Sequence, residues 1–585
     1  MLETEIKDLI LNDLRIHTFD IETLGWTEPI AVGFFDGSIY RDFLKRSEDE
    51  DVIWTFLTFI QKHYSSMTVH AHNCTNFDNK FILECLIKHK QTIDMVAGLG
   101  SLKWIEAKIT FRDTRLLLRT SLEKACEAFD IDRKLDWNHS KTESIWNMDG
   151  DKLQVFRSYL ERDCKALSAA YSLFVYKLIS TFSISEPGTT LGQTALKIYD
   201  VLYDLDTIDS NEKYHLQIRS ALYGGRNEIY NRYGEDLNLY DIRSMYVSCY
   251  DTEIPSGPMK YLNTRQLDIN RGTVGFAKVH IPDDWFIGPL PYHVGSALLF
   301  PVGKFQGWWD MKELRYAHSL GVKVELQSQL ECEESTALKD FGEMMVSLRH
   351  RASLDENFEL TKLWKALGVQ LVGKFAQNSR RTRIKHITAF NSVKDMEGWT
   401  FLDSDEQYLE GDRTINSALK KHLSKTIKPA VAMRIRAEAR IRHHKAMMEA
   451  QEKAGPDGLF YCDTDSVYTK ATLKTGEFAG ELQEIGKAAR AYFIMRKFYG
   501  FITPEGVLRQ RSSGFSGYKL SEKQFKSLLD GNELKITTPG AVLTSSTDLI
   551  RGLETQSIHK ERTLRTSTTQ NREIVGLTTK PIKLE

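Results

Sequence analysis

Eleven residues, Leu459 to Thr469 (LFYCDTDSVYT), constrain the fold more than any other stretch of the chain. β-Formers flank an acidic triplet on both sides, so the segment predicts two short strands with Asp463 and Asp465 at the hairpin tip. A DTD at a turn is commonly just a turn. Far upstream, however, Leu237 to Tyr250 (LNLYDIRSMYVSCY) predicts a strand that leaves Asp241 at a turn, followed by a short helical segment. A strand-end Asp paired with an acidic hairpin makes a candidate two-metal site for phosphoryl transfer.

The N-terminal third carries a second acidic set. Leu14 to Glu22 (LRIHTFDIE) predicts a strand on which Asp20 and Glu22 leave the same face. Two carboxylates side by side repel and are costly to keep ionised unless a cation joins them. A lone DxE is nonetheless most often an acidic pair at a surface turn. Val69 to Asp78 (VHAHNCTNFD) predicts a short strand, then a helix starting near Asp78. Leu153 to Tyr171 is helical by period and puts Tyr159 and Asp163 on one face. Each piece alone is weak. Together DxE, Nx₃FD and Yx₃D supply four carboxylates (Asp20, Glu22, Asp78 and Asp163) able to hold two Mg²⁺ or Mn²⁺ ions ~4 Å apart. Tyr159, one turn from Asp163, is placed to orient an attacking water.

Composition bounds the rest. At ~150 residues per domain, 585 residues amount to about four structural units. With 41% hydrophobic and 27% charged residues, the chain has material for real cores and is neither disordered nor collagen-like. No apolar run approaches the ~18 residues of a membrane span, and MLETEIKDLI lacks the basic start and apolar stretch of a signal peptide. The seven cysteines (74, 85, 126, 164, 249, 332 and 462) show no CxxC pairing. That argues against a zinc site or disulfide framework and for an intracellular, reducing compartment. The net charge of −1 hides an asymmetry, since Lys374 to Lys445 holds 16 Lys/Arg against 8 Asp/Glu. Such a block reads either as a polyanion groove or as a solvated helix face.

The N-terminal set resembles the DEDDy 3′→5′ proofreading exonuclease domain of family B DNA polymerases. The resemblance implies that Thr23, Asn73 and Phe77 contact a single-stranded 3′ end, with Thr114 (in FRDTRL) and Lys134 as auxiliary strand and phosphate ligands. The later segments resemble motifs A (DxxSLYP) and C (YxDTDS) of the same family. Motif C is complete as YCDTDS, whereas in motif A Met245 replaces Leu and Val247 replaces Pro. The resemblance makes Asp241 and Asp465 the principal metal ligands, with Asp463 in support. It assigns nucleotide contacts to Ile242 and to Tyr246, whose ring would pack under the sugar and exclude a 2′-hydroxyl.

Motif B (Kx₃NSxYG) is eroded. Lys365, Gly373, Lys374 and Phe375 match in KALGVQLVGKF, but Val369, Gln370 and Val372 replace Asn, Ser and Tyr. Lys365 would still meet the incoming triphosphate as a point charge. Of Arg349 and Arg351 in SLRHRAS, Arg351 is assigned as a second phosphate ligand. Tyr223-Gly224-Gly225-Arg226 resembles the YxGG segment, whose glycines would let backbone approach template phosphates. RQRSSGF resembles the primer-gripping KxY segment, with Arg511 where Lys is usual. The helix after Lys428 puts Arg436 and Arg440 on one face and is read chiefly as support for the palm.

Spacing separates subfamilies. The 124 positions from Asp241 to Lys365 and the 98 from Lys365 to Asp463 exceed what a minimal palm–fingers–palm connection needs. In protein-primed family B polymerases these gaps hold two insertions, the terminal protein regions. The expected fold is therefore multidomain α/β. It comprises an RNase H-like exonuclease domain (1–185), a first palm part with motif A (186–262), a first insertion (263–335) and fingers with motif B (336–377). A second insertion (378–425), a second palm part with motif C and the KxY-like segment (426–540), and a thumb with C-terminal tail (541–585) follow. The expected function is DNA-directed DNA polymerisation with proofreading, protein-primed, on a linear viral or plasmid genome. The resemblance implies a monomer with two Mg²⁺ or Mn²⁺ ions per site and no membrane partner. Its partners would be template-primer DNA, deoxynucleoside triphosphates and a terminal priming protein. Two alternatives stand beside it: a nucleic-acid-primed family B polymerase, and a polymerase-fold DNA-binding scaffold suggested by the eroded motif B.

Overall fold

The computed structural model describes residues 14–96, 100–131, 137, 145–377, 382–386, 399–401, 408–412, 426–513, 518–537, 542–551, 553–558, 561–566 and 571–585. Strands β1 (His17–Leu24), β2 (Glu28–Phe35), β3 (Tyr40–Leu44), β4 (Met67–Ala71), β5 (Ile93–Val96), β6 (Ser101–Trp104) and β7 (Ile109–Asp113) form an N-terminal sheet ordered β5-β6-β7-β4-β1-β2-β3. β1 lies inside it, antiparallel to β2 and parallel to β4. Helix α1 (Val52–His63) is capped by the Asp51 carboxylate, which accepts from Trp54 N at 3.0 Å, and it buries Val52, Phe56, Leu57 and Ile60. Helix α2 (Asp78–Lys88) follows β4, and α3 (Gly150–Phe182), capped by Asp149, crosses β1 and β2. Gly33 permits that crossing, because a Cβ there would stand 2.7 Å from Leu160 Cγ.

Helix α4 (Leu191–Tyr203) leads into a second sheet that starts with β8 (Asn227–Ile229) and β9 (Tyr233–Ile242). The stretch 263–335 then builds a separate antiparallel sheet with β10 (Val274–Ile281) between β11 (Val302–Asp310) and β12 (Lys323–Glu331), and helix α5 (Met311–Ser319) on it. Trp309 is fully buried there and donates its indole N–H to Pro291 O at 2.8 Å. Helices α6 (Lys339–Leu354) and α7 (Phe358–Phe375) form the next hairpin, α7 packing on both α4 and α6. Its tip rests on the N-terminal unit: Asn357 Nδ2 donates to Ala128 O at 2.7 Å, and Thr120 Oγ1 to Glu359 Oε2 at 3.3 Å.

The stretch 378–425 is described only at β13 (Thr382–His386), β14 (Trp399–Phe401) and β15 (Tyr408–Asp412). β13 pairs antiparallel with β5, Ile384 opposite Met95, so these strands extend the N-terminal sheet. Helix α8 (Pro429–Ala454) begins with Pro at its first turn. Its buried Arg434 donates to Asp310 and Glu334 at 2.7 Å, and Arg440 grips Glu313 at 2.7 Å through two nitrogens. These pairs fasten α8 to the 263–335 unit. Removing one partner would cost about 3–5 kcal/mol, because the other charge stays buried and uncompensated.

β16 (Leu459–Asp463), β17 (Ser466–Thr469), β18 (Leu482–Met495), β19 (Phe498–Ile502) and β20 (Leu508–Ser512) complete the second sheet in the order β20-β19-β18-β9-β17-β16-β8. Beyond them, Leu543, Leu549 and Ile550 join the core of the N-terminal unit, and Lys80 Nζ donates to Leu543 O at 2.9 Å. The chain closes with β21 (Arg572–Val575), β22 (Thr578–Pro581) and β23 (Lys583–Leu584). Among the described residues no helix is long and apolar enough to cross a membrane.

Candidate active sites

The first acidic group forms where β1, α2 and α3 meet. Asp20 and Glu22 point from β1, Asp78 opens α2, and Asp163 lies on α3 one turn after Tyr159. Asp78 Oδ1 accepts from the amide of Ile21, the residue between Asp20 and Glu22, at 3.0 Å. That bond locks helix to strand through backbone and leaves Asp20 and Glu22 unaltered. Burial pushes the Cys164 thiol up, and the charges of Asp20, Asp163, Asp78 and Glu22 all add to the rise, so all four carboxylates lie near that buried thiol. Tyr159 is 2% exposed, and burial and then the fields of Glu22, Asp20 and Asp163 raise its phenol. Burial also lifts Asp78 to about 7, against its backbone hydrogen bonds, with Asp113 and Glu22 contributing. Carboxylate oxygens are the donors a hard divalent cation takes.

The flanking residues fall around this point. Asn73 takes a left-handed conformation (φ +68) and donates its amide to Asp113 at 2.8 Å; Thr75 N and Arg115 N donate to the same carboxylate. Asp113, missed by the sequence reading, thus organises a cleft of about 320 Å³ lined by Asn73, Thr75, Asn76, Arg115 and Arg119. Its strand-end position directly before Thr114 was the available signal. Thr114 itself is fully buried, its hydroxyl 3.0 Å from His72 Nδ1. Phe77 stands edge-on to Phe81 and to the half-exposed Trp26, and Thr23 donates to Gly25 O. Lys134 lies outside the described residues.

The second group sits on the other sheet. Asp241, next to last in β9, lies directly opposite Ser466, and Asp463 and Asp465 flank Thr464 in the β16–β17 turn. Thr464 is left-handed (φ +61), and its amide donates to Arg226 O at 2.6 Å. The Ile242 amide donates to Asp465 O at 2.8 Å, tying the two motif backbones together. Gly225 makes room for the turn, since a Cβ there would lie 2.9 Å from Thr464 Cγ2. Burial lifts Asp465 to about 7, Asp241 and Asp463 add to the rise, and Lys365 opposes it. Asp241 is raised by burial and pulled back by the Gln483 amide, 3.2 Å away, and by Lys365 and Arg349. Asp463 lies 3.5 Å from Lys497 Nζ and accepts from the Thr464 hydroxyl at 3.1 Å. Three carboxylates with this burial fit a divalent cation as the first set does.

Around Asp241 the helical hairpin contributes Lys365 and Arg349, whose guanidinium donates to Ser244 Oγ. Arg351 is exposed on α6, two positions along and so on another face. Tyr246 is half-buried among Arg436, Arg440 and Asp465, while Val247 packs on Gly368, where a Cβ would lie 3.0 Å from Val247 Cγ2. Tyr223 is buried against His293, and Gly224 O and Tyr223 O accept from Arg440. Arg509 and Arg511, exposed on one face of β20, share a cleft of about 890 Å³ with Asp241, Lys365 and Gln483. Among the described residues the three donor atoms that come within 4.8 Å of one another are those of Asp51, Cys85 and His89, and neither carboxylate set is drawn together that closely. Asp51 already caps α1 and pairs with Lys88 at 2.9 Å, so that group is satisfied without an ion.

The profile of DNA polymerase type B, organellar and viral, matches residues 61–147 and 136–447. A probable DNA polymerase of Podospora anserina is 24% identical over 410 residues, covering 64% of this chain and 34% of that protein. The DNA-directed DNA polymerase of Enterobacteria phage PRD1 is 25% identical over 242 residues, covering 40% and 39%. The matches to the three fungal relatives span 34%, 46% and 54% of those proteins' lengths. Among solved structures, Phi29 DNA polymerase complexed with primer-template DNA and incoming nucleotide substrates has the same fold, with a TM-score of 0.70 at 15% identity. That likeness covers 94% of this chain and 99% of that one.

Proposed function

The chain belongs to the type B DNA polymerases of organelles and viruses, and from that membership we propose that it extends a primer on a DNA template and trims single-stranded 3′ ends at a second site. One observation carries the reading: a buried or half-buried carboxylate group whose elements are tied by backbone hydrogen bonds occurs twice, on two different sheets, and Lys365 and Arg349 face the second. Two Mg²⁺ or Mn²⁺ ions held by Asp20, Glu22, Asp78 and Asp163, and two by Asp241, Asp463 and Asp465, would supply an activated oxygen nucleophile and neutralise phosphoryl charge. Lys365 and Arg349 hold fixed positive charge where the phosphates of a deoxynucleoside triphosphate would lie. Arg509 and Arg511 line the adjoining cleft, suited to a primer backbone. Tyr159 is placed to orient the water at the trimming site. The seven cysteines, all free thiols, suit a reducing compartment.

A 5′-labelled primer annealed to a longer template tests both activities in one tube with Mg²⁺. Lengthening with deoxynucleotides and shortening without them are the expected results. No lengthening would leave the DNA-binding scaffold as the reading. Tyr246→Val is expected to raise ribonucleotide incorporation relative to deoxyribonucleotides by about tenfold or more, since a missing wall no longer rejects the 2′-hydroxyl by volume. Competition between the two triphosphates on the same template measures it.

Protein priming is the finer part of the proposal and rests on the lengths of the 263–335 and 378–425 stretches. Arg380, Arg381, Arg383 and Lys385 open the second, a cation run suited to DNA phosphates or an acidic partner. Deleting 378–425 is expected to shorten products sharply and abolish strand displacement while single-nucleotide addition to a short primer survives, because Asp241, Asp463 and Asp465 lie outside it. A folded deletion variant that remains fully processive would remove the support for this subfamily. Transfer of a labelled deoxynucleotide onto a protein hydroxyl distinguishes it from nucleic-acid priming.

A further inference from the structure

Residues 571–585 run along the edges of two sheets. The β21–β22 hairpin lies beside β8, the outermost strand of the second sheet. Thr579 N donates to Tyr230 O at 2.9 Å, Thr579 Oγ1 to Ile229 O at 2.7 Å, and Arg232 N to Leu577 O at 2.7 Å. β23 then pairs in parallel with β11, Val302 opposite Lys583 and Gly303 opposite Leu584. One strap therefore covers two edges that would otherwise expose unpaired backbone.

Edge covering alone would be scaffolding, but two side chains reach further. Asn571 Nδ2 donates at 3.0 Å to the carbonyl of Asn227, which faces Asp463 across the β8–β16 ladder. Arg572, 2% exposed, lies over the rings of Tyr230 and Phe286, at 4.4 and 4.9 Å from their centroids. It donates to Thr579 Oγ1 and Phe286 O, and its Nη1 stands 3.8 Å from Glu228 Oε2. That same oxygen accepts from the Tyr230 hydroxyl at 2.6 Å and from Arg226 Nη1 at 3.3 Å. Glu228 is fully buried opposite Cys462. The carbonyl of Arg226 in turn accepts the amide of Thr464, the left-handed residue between Asp463 and Asp465. A buried carboxylate shared by two guanidinium groups, one of them from the C-terminal hairpin, thus sets the segment that holds Asp463 and Thr464 of the acidic turn.

We propose that Asn571 and Arg572 are positioning residues of the polymerisation site, fixing through Asn227, Glu228 and Arg226 the turn that carries Asp463 and Asp465. The inference rests on the polymerase reading given above. Without Arg572, Glu228 is left to Arg226 and Tyr230 alone, Arg226 re-pairs, and its carbonyl no longer sets the Thr464 amide. A Lys at 572 keeps the charge but not the flat stacking on Tyr230 and Phe286. All these contacts fall on the second sheet and the 263–335 unit, so the trimming site is an internal control.

Arg572→Met in the full chain is expected to slow single-nucleotide addition about ten- to a hundredfold, the scale of a misplaced catalytic group. Amide exchange across 459–469 in the metal-free protein should rise, while exchange across 17–35 and single-strand degradation stay at wild-type values. Arg572→Lys should recover part of the loss. Wild-type addition and wild-type exchange across 459–469 in a folded Arg572→Met chain would overturn the inference. If that variant does not fold, Asn571→Ala, which removes one hydrogen bond, decides by the same two readouts. Failure of the polymerase reading itself looks different, because the wild-type chain then adds no nucleotide while the exchange comparison still stands.

Discussion

Asp465→Asn is expected to abolish nucleotide addition, by about 10³-fold or more, while degradation of a single-stranded 3′ end continues at close to the wild-type rate. On the proposed two-metal reading, the size follows from removing the charge of a principal ligand where several kcal/mol of transition-state stabilisation is concentrated. The local geometry survives the change. The bonds that shape the turn run from Asp465 N to Asp463 O and from Ile242 N to Asp465 O, and both are backbone bonds. The substitution also removes a cost. Burial raises the Asp465 carboxyl to about 7, above its ordinary value of 3.8. The folded state therefore binds the proton more tightly than the unfolded chain, and the metal-free protein loses stability as pH rises through that window. Asn carries no such penalty, so the metal-free variant should melt at a higher temperature than wild type near pH 8. Single-nucleotide addition, strand degradation and a melting curve on one preparation check all three. Loss of strand degradation in a folded variant would count against two independent sites.

Local patterns made both carboxylate groups legible in the sequence. Asp20 and Glu22 share a strand face, Asp78 opens a helix, and Tyr159 and Asp163 are one helical turn apart, as alternation and period predict. The CDTD segment sits at the turn of a hairpin for the same reason. What stayed hidden depends on contacts between distant segments. Gln483 meets Asp241 from 242 positions away, and Asn571 meets Asn227 from 344. The contacts of the tail are of the same kind, Thr579 N donating to Tyr230 O and Lys583 pairing with Val302, and no residue pattern marks them. The strands of the 378–425 stretch join a sheet built almost three hundred positions earlier, Ile384 beside Met95, and pairing of that kind leaves no local trace. Arg349 is a different case. Phe341, Met345 and Ala352 form the buried stripe of α6, and Arg349 falls on it by period while Arg351 does not. The signal was present, and the helix period would have chosen Arg349.

Asp20→Ala combined with Glu22→Ala is expected to reduce degradation of a single-stranded 3′ end by about 10²- to 10³-fold while primer extension is unchanged. Both carboxylates leave one face of β1, so a single replacement keeps half of the strand's contribution, and the double variant gives the sharper result. The sheet should hold. β1 is paired on both sides, and the amide of Ile21 still donates to Asp78 when its neighbours are Ala. Removing the Glu22 charge also relieves part of the repulsion that helps to raise Asp78. Extension persists because Asp241, Asp463 and Asp465 lie on the second sheet and share no ligand with the first. The consequence for copying is a change in kind. A mismatched primer end, which on the proposed function the wild type trims before extending, should now be either extended with the mismatch retained or left stalled. Sequencing extended products from a mismatched primer reads that outcome directly, and correct removal of the mismatch by the double variant would place the trimming chemistry on other residues.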